Sequence, residues 1–520
     1  MIDSVTSMST RSGAATPGGS GHSAKGGQPL RRLRRAALLC LALLSVFTMT
    51  AGAAVAHMLP PRLALWRLPT VSGRGLVRAG LVLQPVAGRP AARQAGHSAY
   101  PGQNAQSATA AGVSAALSRS LGSATLGSHV GAQVVDLSTG QVLLSRQGAA
   151  EFAPASTAKL AVAVASLHVL GPSARLTTRV VTGSVPSSLV LVGGGDPTLA
   201  AGRPPRSDYP QPATLASLAA ATARALRARE IRTVRLSYDT SLFTGPEMAQ
   251  GWPGSYVTTG NTTPIESLEV DQGRLTASGA PQDADDPGNF RPRTMTPAAD
   301  AAKEFASQLS GQGITVQGTP GQAAAPRGAT TIAAVSSPPL AEIVGQMLAE
   351  SNNVIAEDLA RQVAAATGRP ASFRGAASAE TAVLRRLGIR GGVRLVDGSG
   401  LAPQDRITPG VLVQLIRLAA APGQPSLRPV ITGLPVAGFS GTLAPGGSVF
   451  PDVGQAGLGV VRAKTGNLLT VVSLAGVVQA ADGELLGFAF MADRLPKAGL
   501  DPGAADLIRL ATALAGCGCH

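Results

Sequence analysis

Cysteine, histidine and lysine are all scarce in this 520-residue chain, and each scarcity removes a class of chemistry. Three cysteines, Cys40 in an apolar run and Cys517 and Cys519 at the C-terminal end, cannot supply a disulfide framework. Cys517-Gly518-Cys519-His520 offers two thiols and one imidazole, an incomplete zinc set, so no metal is assigned. The tail is expected to fray, with a local disulfide or a redox role as the alternatives. Only His129 and His168 lie in the body before the tail, and no Gly-x-Ser-x-Gly elbow occurs, so Ser-His-Asp catalysis fits poorly. Aromatics make up 3% of the residues.

Charge is unevenly placed. Residues 1–107 hold 12 of the 44 Lys/Arg and a single acid, Asp3, leaving 32 basic and 28 acidic side chains in the remainder. With neither a concentrated basic face nor interleaved aromatics in that remainder, no nucleic-acid partner is expected. Lysine occurs five times, at 25, 159, 303, 464 and 497, against 39 arginines. Arginine does not shed its proton, so a site that needs a neutral amine must spend one of the few lysines.

The first 35 residues are a Ser/Gly-rich tail ending in Arg31-Arg32-Leu33-Arg34-Arg35, which is expected to be disordered. Ala36–Ala56 then carries no charge; as a helix it would span about 31 Å, close to the thickness of a hydrocarbon core. Residues 36–58 are therefore expected to be a membrane anchor or a cleaved signal, with export of everything that follows. Residues 59–107, rich in Pro, Gly and Arg, read as a linker.

Order is expected from about residue 108. Phe152-Ala153-Pro154-Ala155-Ser156-Thr157-Ala158-Lys159 runs into an all-apolar stretch, which is how a buried helix reads, with Pro154 in its first turn. Ser156 and Lys159 share one face of that helix, and a desolvated amine beside a hydroxyl can act as its base. Residues 177–337 change texture, to short strand-like runs, proline-rich loops and two amphipathic helices, and look like an insertion. Within them Gly193-Gly194-Gly195-Asp196 reads as a structural turn. Glu357 and Asp358 read as a solvated helix face. Asp482-Gly483 joins two strands as a hairpin.

Three motifs stand in order: Ser156-Thr157-Ala158-Lys159, Ser351-Asn352-Asn353 and Lys464-Thr465-Gly466, separated by 195 and 113 residues. Each alone is weak, but the joint chance expectation is below about 0.01. Together they are the signature of penicillin-binding proteins and serine β-lactamases. The long first separation, with Gly193 to Leu199, Asp397 to Leu401 and Gly441-Thr442-Leu443, resembles the class C low-molecular-mass penicillin-binding proteins, the D-alanyl-D-alanine carboxypeptidase/endopeptidase family. The resemblance covers about residues 108–516.

That resemblance implies an α+β fold in which a β-lactamase/transpeptidase-like domain, a mainly antiparallel sheet with helices, spans 108–176 and 338–520 and is interrupted by an inserted domain at 177–337. It also implies peptidoglycan peptides as substrate, β-lactams as covalent inhibitors and no cofactor. Ser156 would attack the D-Ala-D-Ala carbonyl, with Lys159 taking its proton under the influence of Lys464. Ser351 would relay a proton to the leaving group, and Asn353 would hold Lys159 and the substrate amide. Lys464 and Thr465 would grip the terminal carboxylate, Gly466 would allow close approach, and the amides of Ser156 and Asn467 would bind the oxyanion. Asn467 departs from the Thr or Ser usual there. The rival expectations are a β-lactamase or esterase on the same scaffold, and a catalytically inactive penicillin sensor or scaffold.

Overall fold

The computed structural model describes residues 108–519 apart from 204–208, 276–290, 447–450, 452–453 and 497–498. The expected tail, apolar segment and linker therefore lie outside the described residues. Among those described, no helix is long and apolar enough to cross a membrane.

The first helix, α1 (Ala110–Leu121), is capped by the Thr109 hydroxyl, which accepts from Gly112 N–H, and it buries Val113, Leu117 and Leu121 at a four-residue spacing. A hairpin of β1 (Val130–Asp136) and β2 (Val142–Arg146) follows. The Asp136 carboxylate ties its turn by accepting from the N–H and hydroxyl of Ser138, each at 2.7 Å. Next comes α2 (Lys159–Leu170), buried continuously from Lys159 to Leu167. A helix apolar on every side must be surrounded, and it is, by the helices at 340–349, 353–366, 373–386 and 409–420.

Residues 177–336 build a separate mixed sheet from β3 (Thr177–Thr182), β4 (Ser188–Val192), β5 (Thr233–Asp239) and β6 (Thr331–Ser336), with two-residue strands at 315–316 and 321–322. Strands β4 and β5 run parallel, while β3 is antiparallel to both β4 and β6. Helices α3 (Leu215–Arg227) and α4 (Pro297–Gly311) cover it, packing Leu218, Leu226, Phe305 and Leu309 onto Leu191 and Leu236.

The chain then returns with α5 (Leu340–Ala349), α6 (Asn353–Ala366), α7 (Phe373–Arg386) and α8 (Pro409–Ala420). It ends with β7 (Val461–Leu468), β8 (Val471–Gln479), β9 (Leu485–Ala492) and α9 (Leu500–Ala515). These last strands join the first hairpin in a five-stranded antiparallel sheet ordered β7-β8-β9-β1-β2. Side chains alternate between its faces, so Leu474, Phe488 and Phe490 pack under α1 and α9 while Ala475, Ala489 and Met491 face the helices around α2. The molecule is α+β, and β7 is left at the edge of the sheet.

Two expectations fail in the fold. The C-terminal tail is not frayed: Cys517 and Cys519 are disulfide-bonded, Cys519 is buried, and its carbonyl accepts the Thr109 N–H at 2.6 Å, tying the tail to the start of α1. Glu357 and Asp358 are not solvated: they are 1% and 0% exposed, because α6 lies between α2 and α7 and has no free face at that level.

Candidate active site

Pro154 opens a tight 3-10 turn over Ala155–Ala158, and the α-helix begins only at Lys159. Ala155 adopts a left-handed φ of 45°, a strained conformation for a residue with a Cβ, so Ser156 is presented at a sharp bend. The bend is held by the Pro154 carbonyl, which accepts the Ser473 hydroxyl at 2.6 Å and the Thr157 hydroxyl at 2.7 Å. Gly400 closes against the Ala155 backbone, where a Cβ would have no space.

Lys159 is fully buried, and its Nζ has three neighbours: Ser156 Oγ at 2.8 Å, Asn353 Oδ1 at 2.7 Å and the Ser399 carbonyl at 2.8 Å. Burial lowers its pKa to about 7, against the opposing charges of Asp397 and Glu357. A neutral amine has two N–H bonds and one lone pair. Asn353 Oδ1 and the Ser399 carbonyl can only accept, so they take both hydrogens and leave the lone pair facing the Ser156 hydroxyl. This arrangement can activate a serine.

Asn353 opens α6, and Asn352 caps it by accepting from Ile355 N–H at 3.2 Å. Ser351, two residues ahead of Asn353, takes a left-handed φ of 58° in the loop from α5. The loop is braced from residues 261–272: Asn352 Nδ2 donates to Gln272 Oε1 at 2.8 Å, and Asn353 Nδ2 donates to the Asn261 carbonyl at 2.9 Å.

The third motif lies wholly within β7, which runs on to Leu468 before turning at Leu469. Alternation places Lys464 and Gly466 on one face. At Gly466 a Cβ would strike Ser473 Oγ and come within 2.9 Å of the Pro154 carbonyl and 3.0 Å of the Ser156 nitrogen, so only glycine lets the strand meet the serine bend. Lys464 is fully buried and donates to the Thr465 carbonyl at 2.8 Å; burial and the neighbouring Lys159 hold its pKa well below the ordinary lysine range. The Thr465 hydroxyl bonds that of Thr442 at 2.7 Å, and Asn467 is exposed. Among the described residues, the outer edge of β7 is bridged at Arg462, by Val436, and backbone pairing on that edge does not extend past Ala463. Among the described residues no group of three His, Cys, Asp or Glu is placed to hold a metal.

Several residues around the site carried no site role from sequence. Glu357 accepts from the amides of Gly398 and Ser399, and Asp397 accepts from Gly400 N–H, Ala402 N–H and Trp252 Nε1, each at 2.7 Å. Asp397 to Gly400 is legible as a turn. Its contact with Lys159 across 240 residues is not.

A family model described as D-Ala-D-Ala carboxypeptidase 3 (S13) matches residues 113–293 and 279–513. The chain is 39% identical over 420 residues to Carboxypeptidase DacB of Mycolicibacterium smegmatis, covering 80% of this chain and 86% of that protein. It is 30% identical over 429 residues to the D-alanyl-D-alanine carboxypeptidase of Actinomadura sp. (strain R39), covering 69% and 77%. Penicillin binding protein 4 (dacB) from Haemophilus influenzae has the same fold, with a TM-score of 0.60 at 23% identity over 77% of this chain and 97% of that one. Sequence similarity along most of its length and the meeting of three distant motifs around the Ser156–Lys159 pair lead to the same conclusion: this chain belongs to the D-Ala-D-Ala carboxypeptidase 3 (S13) family.

Proposed function

We propose that the chain is an extracytoplasmic serine D-alanyl-D-alanine carboxypeptidase that acts on peptidoglycan stem peptides through an acyl-enzyme on Ser156, with cleavage of D-alanyl cross-links within reach of the same site. The observation that carries this reading is the buried Lys159 amine, whose two acceptor partners aim its lone pair at Ser156 Oγ.

The Ser156 hydroxyl gives its proton to Lys159 as Oγ attacks the carbonyl of the penultimate D-alanine. Charge on the carbonyl oxygen is met by the N–H groups of Ser156 and Asn467. Collapse breaks the C–N bond, and the departing D-alanine nitrogen takes a proton from Lys159 through Ser351. Water then attacks the ester and restores Ser156. Lys464 and Thr465 hold the terminal carboxylate of the substrate on the outer edge of β7, and Gly466 admits it. A β-lactam enters the same acylation and stays. Residues 108–176 and 338–520 act as the catalytic domain, 177–337 as an insert that braces it, and residues 36–58 as the membrane tether or export signal.

Intact-mass spectrometry after incubation with benzylpenicillin tests this reading. We expect one adduct, mapped to Ser156 and lost in Ser156→Ala, and release of D-alanine from a D-Ala-D-Ala pentapeptide. An unlabelled protein that leaves the pentapeptide intact would overturn it.

A further inference from the structure

Glu357 has no part in the acyl-transfer scheme, yet it is built into the support of Lys159. It stands four residues after Asn353 on α6, so the two side chains rise from the same helical face. Its carboxylate is buried and fully engaged. The Gly398 N–H reaches Oε1 at 3.1 Å and Oε2 at 3.0 Å, and the Ser399 N–H reaches Oε1 at 2.7 Å. Ser399 is also the residue whose carbonyl accepts from Lys159 Nζ. One residue thus has its N–H on Glu357 and its C=O on the lysine. The turn lies directly on α6: at Gly398 a Cβ would come within 2.9 Å of Ala360 Cβ and 3.1 Å of the Ala356 carbonyl.

We propose that Glu357 is a positioning residue for Lys159: by holding the amides of Gly398 and Ser399 it fixes the Ser399 carbonyl on one N–H of the amine, so that the lone pair is left for Ser156. The Ser399 carbonyl lies in the next peptide, whose Gly400 N–H is held by Asp397 Oδ1 at 2.7 Å, so the two carboxylates fix the turn from both sides; without the Glu357 grip the Gly398 and Ser399 amides lose their side-chain acceptor among the described residues, and the carbonyl keeps the Asp397 anchor alone.

The charge of Glu357 acts on the same lysine. Lys159 faces it from α2, Asp358 and Arg361 from its own helix, Glu380 from α7, and Asp397 and Asp405 from the 395–405 segment. Burial, then the charge of Asp397, pushes the Glu357 carboxyl up to about 7, with hydrogen bonds from Ser399 and Gly398 opposing. Part of the carboxylate is therefore ionised near neutrality, and that charge opposes the loss of the lysine proton.

This inference rests on the acyl-serine reading, and the experiment separates the two. Rate constants for acylation by benzylpenicillin are measured from pH 5 to 9 for the wild type, Glu357→Gln and Glu357→Ala, with thermal unfolding run on each. In Glu357→Gln one oxygen can still serve both amides, since Oε1 alone reaches both. Its peak rate is expected within about tenfold of wild type, with the rising limb of the profile displaced to lower pH by about half a unit or more. Glu357→Ala is expected to lose about 100-fold or more. If Gln and Ala lose rate equally with the profile unmoved, or if neither loses any, Glu357 is a structural acid only and the proposal is overturned. If Glu357→Ala does not fold, the displaced or unmoved limb of Glu357→Gln decides alone. A wild type that takes no label would instead sink the acyl-serine reading, and this proposal with it.

Discussion

The side-chain N–H of Asn353 donates to the backbone carbonyl of Asn261 at 2.9 Å, and that bond decides which end of the amide faces Lys159. A carbonyl only accepts, so Nδ2 must lie on its side and Oδ1 on the amine. Asn353→Asp would set two acceptors against each other at Asn261 and place a charge beside the lysine. We expect its acylation by benzylpenicillin to fall about 100-fold or more with the fold retained, as read by adduct formation and circular dichroism. A rate within threefold of wild type would remove Asn353 from the mechanism.

Lys464 is an amine buried without a carboxylate partner among the described residues, and burial, then the neighbouring Lys159, holds its pKa well below the ordinary lysine range. Such a group costs stability and is kept for function. Lys464→Met should therefore unfold at the same temperature or higher, while its rate of acylation and its turnover of a D-Ala-D-Ala peptide drop about 100-fold or more. A lower melting temperature with activity intact would contradict this.

Gly466→Ala places a methyl group against the Ser473 hydroxyl and the Ser156 amide. The clash should break the Ser473 to Pro154 bond that holds the serine bend, at a cost of about 1–3 kcal/mol. Calorimetry should record the loss, and acylation should slow more than the fraction unfolded can explain.

Stability should dip around neutral pH. Burial raises Asp196 to about 6 and Glu357 to about 7, so the folded state keeps protons that the unfolded chain releases near pH 4; stability is lost as pH rises through that window. Lys159 acts in the opposite direction at higher pH: its folded pKa of about 7 lies below the unfolded value, so stability returns between about pH 7 and 10. Urea unfolding at intervals from pH 4.5 to 9.5 should trace this minimum. A flat profile, or a maximum near pH 7, would mean these groups titrate normally.

Much of the site was legible from local pattern, because local rules act between neighbours. The strand at Ser188–Val192, the cap and proline at Thr408-Pro409 and the buried helix after Lys159 follow from alternation, capping and unbroken apolarity. Helix α7 is harder to see in the sequence, although Ser372 caps it and Ala376, Ala379 and Val383 mark its buried face. Gly375 in its first turn disguises it, and the reason for that glycine lies elsewhere in the fold: a Cβ there would strike the Pro370 carbonyl. Glu357 and Asp358 misled because a charged pair on a helix ordinarily faces water. Only the packing of α2 and α7 on either side removes the water.

The order of amino acids alone determined which serine, lysine and glycine this protein owns, and on which local elements they sit. It could not determine that segments 195 and 113 residues apart meet around one serine–lysine pair, nor that an acid expected on a solvated face would grip the turn behind the buried amine. Those are matters of desolvation and of contact between remote segments. An amine becomes a base when the assembled core excludes water from it, and no stretch of chain excludes water by itself.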